Sequence, residues 1–261
     1  MSNVTIGTDL LLLAIDPHSG KVRVAQKIGY ALRGSELVEL AIRGRVDVTE
    51  GRIRVLDRAT TGDRLLDNAM ISIARRNRGP RVNPWVRAAG GLRFDYLAAM
   101  EQAGVVGSEK RKILGVVPVT RWRVQDATSR ASVRERLDRV AYGEGPVEPR
   151  DRALASLVVA CDLAPQIHAP EVEDAAFVRL YRIANGAPTP RTIAARHREP
   201  DDALDEAVVA VERATDRAIA VSTNSAVDAA TSATTQAAHH AAHDGGHGGG
   251  GHGGGGGHGG H

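Results

Sequence analysis

Apolar residues recur at helical spacing through most of the first 221 positions, and at a spacing of two in only two regions. Leu10 to Ile15 is a short apolar run with Thr8 or Asp9 placed to cap it, and Asp16-Pro17-His18-Ser19-Gly20 signals a turn. From Ile28 to Ile42, the positions Ile28, Leu32, Leu37, Leu40 and Ala41 predict a helix closed by Gly44. The period then changes. Val46 and Val48, and then Ile53 and Val55, alternate with polar residues on either side of Thr49-Glu50-Gly51, which predicts a hairpin. Thr60-Thr61-Gly62-Asp63 caps a further helix with Leu65, Leu66, Ala69, Met70 and Ile73 on its apolar face. Arg75 to Arg81 is a basic loop broken by Gly79 and Pro80, Pro84 opens a short helix carrying Trp85, and Leu92 to Ala103 forms the next.

Beyond Gly104, Val105-Val106, a turn at Gly107-Ser108 and Ile113 to Trp122 predict a second hairpin. The remainder reads as helices. One starts at Ser132-Val133-Arg134-Glu135, where Ser and Glu have capping-box spacing, and ends near Tyr142-Gly143. Asp151 to Leu163 is apolar on nearly every side, which places it at the centre of the core. Glu171 to Ala184 points Phe177 and Leu180 inward, and Asp201 to Val221 is amphipathic. The expected fold is mainly α: a single domain over residues 1–221, with a central helix bundle, surrounding amphipathic helices and one or two β-hairpins.

Residues 222–261 contain no Leu, Ile or Phe, and from Ala237 to His261 the chain holds seven of its ten histidines among Gly and Ala. Such a segment buries too little apolar surface to fold, so a disordered tail is expected, its imidazoles suited at most to weak divalent-metal binding. Setting the tail aside raises the formal charge from +3 to +5 on the folded body, because the tail carries Asp228 and Asp244 and no cation. Thirty of the 34 basic residues are arginine, whose planar fork suits phosphate or carboxylate. The competing reading of that bias is genome-wide base composition, which the abundance of Ala and Gly also suggests. Cys161, the single cysteine, excludes an internal disulfide and lies in an apolar run, where a buried thiol is expected. No apolar stretch approaches the roughly 20 residues of a membrane span, and no signal peptide is recognised. A cytoplasmic protein is expected, with any membrane contact peripheral.

Catalytic constellations do not emerge. His18 sits in a turn, His168 beside prolines and His197 between arginines, none at metal-ligand spacing with a second ligand on a helix face. No GxGxxG after a strand, no GxxxxGK[ST] and no GxSxG is present. Asp63 and Asp67 are explained by capping and the helix dipole. No enzyme activity and no cofactor are expected.

One combination is specific: Ala31-Leu32-Arg33-Gly34-Ser35-Glu36-Leu37-Val38-Glu39-Leu40-Ala41-Ile42-Arg43-Gly44-Arg45, followed by Thr61-Gly62-Asp63-Arg64-Leu65-Leu66-Asp67. Together with Leu10-Leu11-Leu12-Leu13-Ala14 before it and Leu97-Ala98-Ala99-Met100-Glu101-Gln102-Ala103-Gly104-Val105-Val106 after it, the chain resembles the Golgi phosphoprotein 3 family, in its bacterial branch. The resemblance implies a helical domain with a protruding hairpin that binds membranes peripherally. In the eukaryotic branch the head group is phosphatidylinositol 4-phosphate, held by one Trp and several basic residues. Carried over by position, the basic residues correspond to Arg33 and Arg93. The pocket Trp falls on Val24 and a second basic residue on Gly90, with Arg87 one turn earlier as the candidate replacement. The eukaryotic N-terminal basic arm has no counterpart in Met1 to Ile6, so its recruitment of protein partners is not transferred.

Two guanidiniums brought together repel unless an anion lies between them, which favours a head-group site at Arg33 and Arg93. Each arginine near an anionic surface contributes about 1 kcal/mol, so a second anchor is expected. The candidate is an apolar wedge at the second hairpin, Ile113, Leu114, Val116 and Val117, flanked by Lys110, Arg111, Lys112, Arg121 and Arg123. The competing reading is a nucleic-acid-binding winged helix, built from Ile28–Ile42, the Val46–Val55 hairpin and Arg43, Arg45, Arg52 and Arg54.

Overall fold

A computed structural model of the chain describes residues 4–113, 117–167, 179–180, 182–183, 208–217 and 219–220, with Ile113 and Val117 defined by backbone alone. Two helices anchor it. α1 (Ile6–Ala14) and α2 (Ile28–Ile42) pack on each other, and both pack on α7 (Pro149–Ala160). Every residue of α2 from Gly34 to Leu40 is buried, as is every residue of α7 from Ala153 to Ala160. α7 is thus the core helix its composition predicts, and its Pro149 occupies the first turn, where a missing N–H is harmless. Burial pushes the thiol of Cys161, which follows α7, up to about 12, as suits a structural cysteine.

The rest of the fold surrounds this centre. α2 ends in a Schellman motif: Gly44 adopts φ 65°, Arg45 N donates to Leu40 O at 2.8 Å and Gly44 N donates to Ala41 O at 2.9 Å. β1 (Val46–Thr49) and β2 (Arg52–Val55) form the first antiparallel hairpin, in register from Val46↔Val55 to Thr49↔Arg52. Glu50 and Gly51 both have positive φ, the type I′ geometry that matches strand twist. α3 (Arg64–Ala74) starts where expected, with Asp63 Oδ1 accepting from Leu65 N at 2.8 Å and Leu66 N at 3.1 Å. α4 (Val82–Arg87) and α5 (Leu92–Gln102) lean on α2, and α5 leads into β3 (Val106–Ile113) and β4 (Val117–Val124). α6 (Ala127–Tyr142) packs on α1 and α7, and α8 (Ala164–Ile167) follows α7. Helical residues 208–217 bring Val211 and Thr215 against Gly34 of α2. The architecture is mainly α with two two-stranded hairpins. Among the described residues, no helix is long and apolar enough to cross a membrane.

Four local expectations are corrected. α1 starts earlier than its apolar run: Thr5 is the cap, accepting from Thr8 N at 3.3 Å, while Asp9 is drawn inward. α6 begins at Ala127 with Asp126 as the cap, and Ser132 lies exposed in mid-helix, because Asp126 Oδ1 already satisfies Thr128 N at 2.9 Å. Gly107-Ser108 is not a turn; it lies within β3, paired with Arg123 and Trp122, so the ladder extends to Ile113↔Val117. α4 begins at Val82 rather than Pro84, since Val82 N is held by Gly51 O at 3.0 Å. The tip residues Leu114 and Val116, His168 and His197, the helix expected from Glu171 apart from Leu180 and its near neighbours, the start of the Asp201 helix and the tail all lie outside the described residues.

Candidate functional site

The residues singled out in the sequence cluster where α2 meets the α4–α5 junction. The first turn of α2 touches that junction closely enough that a Cβ on Gly29 would lie 3.4 Å from Ala89 O. One turn later, Arg33 reaches across to α4, and its guanidinium lies 4.8 Å from the ring centroid of Trp85. Trp85 is fixed in turn by Nε1, which donates to Ser72 Oγ of α3 at 3.0 Å.

Arg33 Nη1 donates to Glu36 Oε2 at 2.6 Å, and Arg33 Nε is buried without a partner. Glu36 is 1% exposed. Burial pushes its carboxyl up to about 8; Arg33 opposes this, and the negative charges of Asp63 and Asp95 add to it. A pocket of about 230 Å³ opens here, with Arg33 and Arg64 facing Glu36 and Asp95 and with Asn68 and Ser72 completing the wall.

Arg93 occupies a different setting. Its Nη1 donates to Ala25 O at 2.6 Å, and its guanidinium lies 4.5 Å from the ring centroid of Phe94, which is 57% exposed. That hydrogen bond joins the start of α5 to the Val24–Ala25 turn. Val24 is half-buried at φ 45°, and its carbonyl accepts from Lys27 N and Ile28 N at 2.9 Å each, which launches α2. Gly90 is exposed, with open space where a side chain would be, and Arg87 is exposed with Nε donating to Asn83 Oδ1 at 3.0 Å. Gly91 caps α5 with no side-chain acceptor; Leu92 N instead donates to Ala89 O at 3.1 Å and Phe94 N to Gly91 O at 2.8 Å.

The fold therefore gathers Arg93, Val24 and Gly90 at one edge, leaves Arg87 on α4 with Asn83, and commits Arg33 to Glu36 and Trp85. The second hairpin stands apart: Lys110, Arg111 and Lys112 are exposed, Glu109 pairs with Arg111 at 2.8 Å and Arg123 at 3.3 Å, and Ile113↔Val117 closes the ladder.

The profile described as Golgi phosphoprotein 3 (GPP34) matches residues 6–215, from α1 into the last helical segment among the described residues. The chain belongs to the Golgi phosphoprotein 3 family. It is also similar to vacuolar protein sorting-associated protein 74 of Eremothecium gossypii, with 28% identity over 106 residues. That similarity covers 36% of this chain and 32% of the relative, so the chain matches about a third of that protein's length.

An aromatic ring stands against each of the two candidate arginines, Trp85 against Arg33 and Phe94 against Arg93, and residue-by-residue carry-over misses both. The pocket Trp falls on Val24 in sequence, yet the indole that meets Arg33 is Trp85, 52 positions away. Phe94 directly follows Arg93, and the only sequence signal was an aromatic at a position the helix leaves outside. The winged-helix alternative loses its reading head, since α2 has no free face from Gly34 to Leu40. Two of its arginines are also engaged, Arg43 with Glu39 at 3.0 Å and Arg45 with Asp57.

Proposed function

We propose that this protein is a non-enzymatic peripheral membrane protein that binds anionic phospholipid head groups, phosphatidylinositol 4-phosphate being the first to test, with insertion of the second hairpin as a further anchor. The observation that carries the reading is the start of α5. Arg93, the open space over Gly90 and exposed Phe94 present a cation and an aromatic side chain on one edge, with Arg87 on the preceding helix. That is the chemistry an interfacial phosphate requires. Family membership over residues 6–215 supports the same reading.

Vesicle flotation tests it, with phosphatidylcholine alone compared with mixtures containing phosphatidylserine or phosphatidylinositol 4-phosphate. Arg93→Ala is expected to weaken binding about fivefold while leaving the fold intact. Arg33→Ala is expected instead to lower the melting temperature, because it removes the stacking on Trp85 and the hydrogen bond to Glu36. Unchanged flotation of Arg93→Ala would remove the α5 edge from the binding surface.

A further inference from the structure

A second cationic surface lies further along α3, C-terminal to the Arg33 pocket. The loop after α3 is pinned along β2: Ile53 N donates to Pro80 O at 3.0 Å, Val82 N to Gly51 O at 3.0 Å, and Arg52 Nη1 to Gly79 O at 3.3 Å. This pinning brings Arg75, Arg76 and Arg78 beside Arg54 and Arg58, all five of them exposed. Among the described residues, none of the five pairs with a carboxylate. Arg58 and Arg75 share the wall of an open pocket of about 300 Å³ whose floor is apolar, made by Val55, Met70, Ile71 and Ala74. Two large aliphatic side chains stand out of this surface, Leu56 at 63% exposure and Ile71 at 53%. On α3 the exposed positions Arg64, Asn68, Ile71 and Arg75 run along one stripe, so the isoleucine sits one turn from Arg75.

Clustered unpaired arginines raise the local potential and attract an anionic partner. The aliphatic centre decides which kind. A phosphodiester backbone would satisfy the arginines and leave Leu56 and Ile71 in water, whereas a bilayer interface accepts both the cations and the apolar side chains. We propose that the β2 edge and the outer face of α3 form a second contact with an anionic bilayer, with Leu56 and Ile71 entering the interfacial layer and Arg58 and Arg75 meeting head-group phosphates. This rests on the peripheral-membrane reading but not on the Arg93 edge.

The test uses the full chain carrying Ile71→Trp, mixed with phosphatidylcholine–phosphatidylserine vesicles whose acyl chains are brominated. Quenching of the added indole, beyond that seen for Trp85 and Trp122 in the unsubstituted protein, is expected. Arg58→Ser combined with Arg75→Ser is expected to lower vesicle partitioning about thirtyfold, with circular dichroism unchanged. If the unsubstituted protein floats with vesicles while Ile71→Trp stays unquenched, the second contact is wrong and the first reading survives. If the unsubstituted protein does not float on any anionic vesicle, both fall. Retention of duplex DNA that the double substitution abolishes, with flotation unaffected, would make the patch a nucleic-acid surface and overturn the proposal.

Discussion

Glu36 shows how a single side chain can change meaning once its surroundings are known. In sequence it is an ordinary helix glutamate; in the fold it is a buried carboxyl whose protonation is favoured up to about 8, with Arg33 as its donor. Its folded pKa lies above the usual 4.5, so the folded protein binds more protons than the unfolded chain between these values. The stabilisation is complete below about 4.5 and is lost as pH rises through about 8. Melting temperature should therefore fall across that window, and Glu36→Gln, neutral throughout, should flatten the decline. An equally steep decline in the variant would assign it to another group.

At the level of elements, the packing of α1 on α5 depends on Gly7. A Cβ there would lie 2.5 Å from Cε1 and 2.7 Å from Cζ and the hydroxyl of Tyr96, whose ring is 1% exposed and has no room to swing aside. Helix propensity favours Ala over Gly by about 1 kcal/mol. Overpacking a rigid core costs about 1–3 kcal/mol. Gly7→Ala is expected to be net destabilising, read as a lower urea midpoint; a higher midpoint would mean that α1 and α5 can move apart freely. The predicted elements hold best where periodicity and caps agree, as in α2 and α3. They shift where a competing partner exists: Asp126 takes over the cap assigned to Ser132, and cross-strand pairing absorbs the glycine of Gly107-Ser108.

At the scale of the whole molecule, α1, α2, α6 and α7 are joined by carboxylates that the core has swallowed. Asp9 of α1, 1% exposed, pairs with Arg136 of α6 at 2.5 Å, and Arg136 reaches Asp151 of α7 at 3.3 Å. Glu39 of α2 accepts from Ile6 N at 3.0 Å and pairs with Arg43 and with Arg150 of α7 at 3.0 and 3.3 Å. Burying such charges is costly, yet removing one partner is costlier because the other is stranded. Arg136→Met should destabilise the protein by about 3 kcal/mol, measured by chemical denaturation. A loss within about 0.5 kcal/mol, the range of an ordinary surface substitution, would show that Asp9 is satisfied without it.

Local chemistry was enough to read the mainly α fold, the two hairpins, the central α7 and the family resemblance, because periodicity, caps and motif spacing are encoded within a few turns of chain. The site was only half legible. Arg93 and Arg87 were reachable from the sequence as candidates, but not the divergence of Arg33 toward Trp85, nor the inward turn of Asp9 and Glu39. Apart from the pairing of Arg33 with Glu36, three positions on, those depend on partners tens to more than a hundred positions away, as with Asp9 and Arg136, 127 residues apart. Whether a charge faces water or the core is decided by which helices pack against it, and only the tertiary structure supplies that.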